Sequence, residues 1–298
     1  NDNIVGTNGF YAMKAHWSEH PDRDEAWATA ERSRIGEERF RREHECEFLI
    51  FDETLINSIT LADMEGNAPV ETTGQVRWFK KPTPGMTYMV SLDPAMGTGG
   101  DFAAIQVFEL PTFEQVGEWH HNQTPMNQQI RILQGINKHI YDTIMEQDAS
   151  ASPQIFYSME NNTIGEAALL RVMDIGEENI QGMFLSEPIR KGHRRKFRRG
   201  FNTTAKFKID ACTKFKELVE GGKMKINSQL LISELKDFVA SGLSFKAKPG
   251  QHDDLVSACL LMTRMMKVLA DFDPKIFEKW TDRTSELTPM PIFGSFTG

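Results

Sequence analysis

Residues 87–159 hold the pattern of apolar residues that most restricts how this chain can fold. Three segments of strand-like composition, 87–92, 102–108 and 115–120, follow one another with only short turns between them. Strands joined so closely pair antiparallel. A fourth strand at 155–159 follows a helical repeat and must pair parallel through a crossover. The pattern predicts an α/β fold whose mixed sheet, an antiparallel meander plus parallel strands, is flanked by helices.

The apolar periodicity also predicts the elements around and beyond these strands. Helices are expected at 126–146, 163–173, about 204–220, about 230–238 and 255–269, with a fifth strand at 182–186.

The first 74 residues differ in character from this core. Residues 1–50 are dense in charge and favour two short helices divided by Gly36, and 51–85 form a weakly patterned connection. The sequence begins with Asn1 rather than Met, so we expect a fragment of a longer protein. We divide the chain into a linker region at 1–74, a core domain at 75–270 and a proline-containing tail at 271–298.

Composition limits the class of protein. The net charge of −8 argues against a general nucleic-acid coat, although a protein that clusters carboxylates around metal ions needs only a local basic patch to contact DNA. Cys46, Cys212 and Cys259 are far apart and lack zinc-site spacing, which fits a reducing compartment. No apolar run is long enough to cross a membrane, so no membrane partner is expected.

Carboxylates stand at the ends of the predicted strands. Asp93 follows the first strand, Asp101 begins the second across a Gly-rich turn, and Glu160 follows the fourth. Asp253 and Asp254 stand at the head of the last helix. Such groups repel one another at a sheet edge unless cations lie between them. They favour Mg²⁺, with Mn²⁺ as a plausible substitute, and two ions would suit the hydrolysis of a phosphodiester.

Each of these acids also has a purely structural explanation. An Asp before Pro is a common turn, and an Asp at a helix start is a common N-cap. The order of the set favours a functional interpretation, because ribonuclease-H-type folds place metal carboxylates at the first strand, the fourth strand and the last helix.

Three segments resemble a known family. SLDPAMGTGGD at 91–101, YSMENNTIGEAAL at 157–169 and GQHDDLVSACLLM at 250–262 resemble the nuclease motifs of large terminase subunits, particularly those of T-even-type tailed bacteriophages. Upstream, NGFYAMKAHWSEHPDRDEAW and RFRREHECEF resemble the stretch that closes the packaging ATPase part of such proteins.

The resemblance implies a C-terminal nuclease domain with a ribonuclease-H-like fold. Such a domain cuts concatemeric double-stranded DNA, with low sequence specificity, at the start and end of genome packaging. Asp93, Glu160 and one of Asp253 and Asp254 then match the catalytic metal ligands, and Asp101 matches an auxiliary metal-site acid. The implied partners are DNA, the protein's own N-terminal ATPase domain, the capsid portal and the small terminase subunit, at an assembling capsid in the host cytoplasm.

The sequence contains no GxxxxGK[ST] phosphate loop, so we expect no ATP hydrolysis from it.

Residues 190–199 form a concentrated basic segment, RKGHRRKFRR. It is interpreted as a groove that neutralises DNA phosphates without reading sequence. The alternative is a solvated loop or a contact with another part of the packaging machine. The basic residues are Arg190, Lys191, Arg194, Arg195, Lys196, Arg198 and Arg199.

The choice between the two adjacent aspartates rests on helix geometry. Neighbouring side chains on a helix diverge by about 100°, so both cannot aim equally at one ion. Leu255 and Cys259 are expected to pack into the core, which favours Asp254 as the principal ligand. Asp253 could bind a second ion, pair with a basic residue or cap the helix.

Three histidines lie near the predicted site. His252 could shuttle protons or contact phosphate, and could equally cap or pack. His120 and His121 end a strand and are expected to face solvent.

Two other functions remain open. One is another enzyme of the same fold, such as a junction resolvase or a ribonuclease. The other is a mainly mechanical module that grips DNA or docks on the portal.

Overall fold

The computed structural model describes residues 16–45, 53–187 and 199–272. Its helices are α1 (Glu25–Ile35), α2 (Glu37–His44), α3 (Ser58–Asp63), α4 (Met126–Gln147), α5 (Thr163–Ile175), α6 (Ala205–Glu220), α7 (Gln229–Asp237) and α8 (Asp254–Phe272). Its strands are β1 (Glu71–Thr73), β2 (Val76–Trp78), β3 (Thr87–Asp93), β4 (Ala103–Leu110), β5 (Glu114–His121), β6 (Gln154–Met159), β7 (Met183–Phe184), β8 (Phe238–Ser241) and β9 (Ser244–Ala247).

A seven-stranded sheet organises the molecule, in the order β1-β2-β5-β4-β3-β6-β7. Strands β3, β4 and β5 pair antiparallel in sequence order. Strand β6 pairs parallel with β3 on its other side, and β7 pairs parallel with β6. The predicted mixed sheet, a meander plus parallel strands, is confirmed.

Helices cover both faces of this sheet. Val90 belongs to the apolar cluster shared with α4 and α5, whereas its neighbour Met89 belongs to the cluster shared with α6, α7 and α8. This alternation follows from the period of two along a strand. On the second face the Ser91 hydroxyl donates to the Ala258 carbonyl at 2.7 Å, which ties α8 to the central strand.

The structure contains strands that the sequence pattern did not predict. Strands β1 and β2 lie within the stretch interpreted as a connection at 51–85, and β2 pairs with β5 at the edge of the sheet. All three residues of β1 are exposed, so no apolar alternation marks it. The hairpin of β8 and β9 was also missed, and the predicted strand at 182–186 is reduced to the two residues of β7.

The two predicted N-terminal helices are confirmed as α1 and α2. The Asp24 carboxylate caps α1 by accepting the Trp27 backbone N–H at 2.7 Å. Trp17, Trp27 and Phe40 form a small aromatic cluster that holds this part together. The Arg41 guanidinium pairs with Asp63 of α3 at 2.6 Å, which connects the helices to the rest of the chain.

Cys212 in α6 and Cys259 in α8 are buried free thiols, and Cys46 lies outside the described residues. Among the helices of the described ranges, none combines the length and hydrophobicity that crossing a membrane requires.

Candidate metal centre

Two carboxylates lie side by side where β3 and β6 end. In this parallel pair Leu92 is in register with Met159, and the Glu160 backbone N–H donates to the Leu92 carbonyl at 3.1 Å. Asp93 and Glu160 therefore follow equivalent positions of neighbouring strands. The two carboxyl groups are close enough that Glu160 contributes to the raised pKa of Asp93.

Helix α8 brings a third carboxylate to the same edge. Ala258 contacts Ser91 of β3, and Asp254 lies one helical turn before Ala258. Leu255 and Cys259 are fully buried, as predicted, and anchor the start of the helix in the core. Asp254 therefore lies next to the ends of β3 and β6.

The carboxylates of this cluster disfavour one another's negative charge. Burial raises the pKa of Asp93 well above its usual range, and the nearby charges of Glu160, Asp254 and Asp253 raise it further. Burial, together with the charge of Asp253, raises the pKa of Asp254 to about 6. A bound cation would relieve this repulsion between negative charges.

One oxygen of the cluster lacks a hydrogen-bond partner among the described residues. Asp254 Oδ2 is buried, and the nearby His252 Nδ1 lies 3.6 Å away. The Asp254 carboxylate also accepts the Phe102 backbone N–H. Such a buried, unpartnered oxygen among other carboxylates fits a hard divalent cation such as Mg²⁺. Across the described ranges, no three His, Cys, Asp or Glu side chains are placed so that they could together hold a metal ion without moving.

The two remaining predicted acids lie at the rim. Asp253 Oδ2 is 3.8 Å from the Lys208 ammonium. Asp101 is exposed after the Gly-rich turn, and its charge contributes to the raised pKa of Asp254. The structure thus brings Asp93, Glu160, Asp253 and Asp254 together, with Asp101 near their edge.

The start of α5 fixes Glu160. Asn162 Nδ2 donates to Glu160 Oε2 at 3.3 Å, and Asn162 Oδ1 accepts the Gly165 backbone N–H at 2.8 Å. A Cβ on Gly165 would lie 1.9 Å from the Glu160 carbonyl oxygen, so only glycine permits this close packing. Sequence reasoning missed Asn162, although an Asn three residues before the glycine is a typical N-cap pattern.

Glu234 is a buried acid behind the cluster that the sequence analysis also missed. Its side chain is 10% exposed, and its Oε2 accepts the Val256 backbone N–H at 3.1 Å. Burial raises its pKa to about 9 against the opposing effect of that hydrogen bond. The available signal was its position in α7, three residues after Leu231 and one before Leu235, both of which are fully buried.

The expectation that His120 and His121 face solvent is wrong. The His120 ring stacks on Phe102 with centroids 4.2 Å apart, and its Nε2 lies 3.7 Å from Glu234. Burial lowers the pKa of His120 to about 4, so the ring is neutral at pH 7. His121 is half-buried, with Nδ1 at 2.7 Å from the Thr124 hydroxyl. Helix α7 covers this end of β5, which strand alternation alone does not reveal.

His252 is exposed beside the cluster. Its ring meets Phe102 edge-on, with centroids 4.8 Å apart, and it faces Asp254. Packing against Phe102 and a role toward substrate are both compatible with this position.

Most of the predicted basic segment, residues 190–198, lies outside the described residues. Arg199 is described, and its guanidinium pairs with Glu177 and lies 5.6 Å from the centre of the Phe184 ring. The charge of Arg199 is therefore engaged within the protein.

Comparison with known proteins supports the fold and the family. A family model described as the Terminase RNaseH-like domain matches residues 90–265. The large terminase nuclease from thermophilic phage G20c with bound magnesium is 16% identical, with a TM-score of 0.52 over 72% of this chain and 97% of the phage chain. The same nuclease with bound cobalt gives the same identity, TM-score and coverage. These similarities confirm the predicted ribonuclease-H-like fold.

Proposed function

Since this chain belongs to the terminase RNase H-like domain family, we propose that it is a metal-dependent endonuclease that cuts double-stranded DNA during viral genome packaging. The observation that carries the proposal is the convergence of Asp93, Glu160 and Asp254, in which Asp254 Oδ2 is buried and accepts no hydrogen bond from any described residue. The similar phage structures are of a nuclease with bound magnesium and with bound cobalt, which supports the same assignment here.

The residues of the chain suit the chemistry of phosphodiester hydrolysis. Asp93, Glu160 and Asp254 would hold Mg²⁺, with Asp101 and Asp253 as auxiliary ligands for a second ion. When bound, such ions supply Lewis acidity and make water a stronger nucleophile. Water then adds to phosphorus while the bond to the leaving oxygen breaks, so the protein needs no nucleophilic side chain.

The proposed surroundings follow from the family. Residues 1–74 would link to an N-terminal packaging ATPase, residues 75–270 would form the nuclease domain, and 271–298 would form a tail. The portal and the small terminase subunit are the proposed partners, at the assembling capsid of a T-even-type phage in the host cytoplasm. We expect no ATP hydrolysis from this chain.

A plasmid assay tests the proposal directly. Supercoiled plasmid incubated with the protein and Mg²⁺ should be nicked and linearised at many positions, and EDTA should stop the reaction. Four-way junctions and RNA–DNA hybrids in parallel reactions test the other enzymes of this fold. DNA binding without any metal-dependent cleavage would contradict the proposal and favour a gripping or docking module.

A second assay separates the adjacent aspartates. Asp254→Asn should abolish cleavage across a Mn²⁺ titration, whereas Asp253→Asn should retain more activity, because Asp254 carries the unpartnered oxygen and Asp253 faces Lys208. An active Asp254→Asn beside an inactive Asp253→Asn would reverse the assignment. If both cut normally, the third ligand lies elsewhere.

The basic segment is proposed to bind DNA phosphates. Replacing Arg194, Arg195 and Arg198 with Ala should weaken DNA binding equally for all sequences and flatten its dependence on salt. Lys138→Ala is the control, because this exposed lysine of α4 lies outside the basic segment and pairs with Asp142. Unchanged affinity and salt slope in the triple variant would instead assign the segment to protein contacts.

A further inference from the structure

Helix α8 is capped differently from other helices of the molecule. A helix leaves its first N–H groups without partners, and a side chain at the N-cap usually accepts the one three residues ahead. Five described helices follow this rule with their own N-cap residues, which are Asp24, Asn57, Asn162, Thr204 and Ser228.

In α8 the equivalent N–H goes to another helix. The helix begins at Asp254, so Asp253 is its N-cap and Val256 carries the N–H that an N-cap side chain would accept. Val256 donates instead to Glu234 Oε2 of α7 at 3.1 Å. The Leu255 backbone N–H also interacts with the Glu234 carboxyl.

The capping of α8 by Glu234 in place of Asp253 affects the metal centre. Because Glu234 accepts the Val256 N–H, the Asp253 carboxylate is directed to Lys208, 3.8 Å away, rather than into its own helix. Glu234 also bonds to the turn that carries Asp254. It lies behind the carboxylates, with its second oxygen 3.7 Å from His120 Nε2, and is nearly buried.

We propose that Glu234 is a positioning residue that caps α8 from α7, holds Asp254 over the ends of β3 and β6, and leaves Asp253 available to the metal centre. This inference rests on the proposed nuclease function. It concerns backbone geometry, so hydrogen exchange and metal binding can test it without a cleavage assay.

The cap does not depend on negative charge. The pKa of Glu234 is about 9 because of burial, so the group is mainly protonated at pH 7 and accepts through its carbonyl oxygen. Glu234→Gln keeps that oxygen, whereas Glu234→Met fills a similar volume without an acceptor.

The experiment compares Glu234→Gln and Glu234→Met in the full chain by three measurements. These are hydrogen exchange of the Leu255 and Val256 amides, Mn²⁺ affinity by calorimetry, and plasmid cleavage with Mg²⁺. Glu234→Met should lose amide protection and weaken Mn²⁺ binding about 10-fold or more, as expected for a partner that orients metal ligands. Glu234→Gln should stay within about twofold of the wild type, because the acceptor is kept.

Controls distinguish the ways in which the idea can fail. Glu217→Ala removes an exposed acid of α6 and should change none of the three measurements. Glu234→Asp shortens the side chain and so moves the acceptor oxygen away from the Val256 N–H. It gives the same comparison if Glu234→Met does not fold. Normal exchange and Mn²⁺ affinity in both Glu234→Met and Glu234→Asp would overturn the inference, as would equal losses in Glu234→Gln. If wild-type protein fails to cut DNA while the exchange differences appear, the nuclease proposal fails and the capping role stands.

Discussion

Acidic residues lie at both ends of the central strands, but the protein neutralises their charge at one end and not at the other. At one end Asp93 and Asp254 have raised pKa values, and an oxygen of Asp254 has no hydrogen-bond partner among the described residues. At the other end of β4 and β5, Glu109 and Glu114 share the ammonium of Lys80, which lies 3.1 Å from Glu114.

The second cluster is neutralised from within the protein. Lys225 adds another ammonium at 2.6 Å from Glu114. Burial tends to raise the pKa of Glu114, but hydrogen bonds from Lys225, Lys80 and Asn227 outweigh it, and the pKa is lowered. The pKa of Lys80 is raised, because its hydrogen bonds to Glu109 and Glu114 outweigh the lowering effect of its burial.

This difference in charge neutralisation separates acids that stabilise the fold from acids that suit a bound cation. Glu109 is fully buried and, like Asp254, has one oxygen without a hydrogen-bond partner among the described residues, yet its charge is matched by a lysine of the same chain. Around Asp93, Lys208 pairs with Asp253 and His252 lies beside Asp254, and both are at the margin of the acidic cluster. Substitutions at the two ends should therefore separate activity from stability.

The largest expected effect is on cleavage by the site acids. Asp93→Ala and Glu160→Ala should each lower plasmid cleavage roughly 100-fold or more, since metal ions contribute several kcal/mol to such reactions. Thermal unfolding in EDTA should show that both variants fold with unchanged or higher stability, because repulsion is relieved. Near-normal nicking by either variant would remove that residue from the metal centre.

At the opposite end of the strands, a substitution should lower stability and leave cleavage unchanged. Glu109→Ala should lower the free energy of unfolding by about 1–3 kcal/mol, because it removes a fully buried acceptor from the Thr112 hydroxyl and from the Lys80 ammonium, which keeps its bond to Glu114. Cleavage per folded molecule should be normal. Lys225→Ala is the control, since its side chain is 63% exposed and such exposed pairs contribute about 0–1 kcal/mol. A loss of cleavage in folded Glu109→Ala would break the contrast between the two ends.

A smaller effect is expected in the pH dependence of stability. The folded pKa of Asp254, about 6, lies above its ordinary value, so the folded protein binds this proton more tightly than the unfolded chain does. The contribution of Asp254 to metal-free stability is thus greatest at low pH and is lost as the pH rises through 6. In EDTA, the Tm of the wild type relative to Asp254→Asn should rise between pH 7 and pH 5. Parallel Tm curves would show that Asp254 does not titrate in this way.

The central fold was predictable because its elements have strong apolar patterns. Strands β3, β4 and β6 are almost wholly buried, and α4 repeats apolar residues over 22 positions. Strand β1 has three exposed polar residues, and β8 and β9 have four residues each, so neither kind of strand leaves a clear pattern.

The candidate site was predictable where it depends on strand ends and less so where helices meet. Asp93 and Glu160 end apolar strands, which the sequence displays directly. The capping of α8 by Glu234 and the burial of His120 depend on how α7 lies against α8 and β5, and no local pattern encodes that contact.

Binding of Mn²⁺ to the protein in the absence of DNA tests the central claim most directly, because it asks whether the unpartnered carboxylates form a cation site. Calorimetric titration should show saturable binding to the wild type, weakened at least about 10-fold in Asp93→Ala and Glu160→Ala and unchanged in Glu109→Ala. Equal Mn²⁺ affinity in the wild type and both site variants would contradict the account.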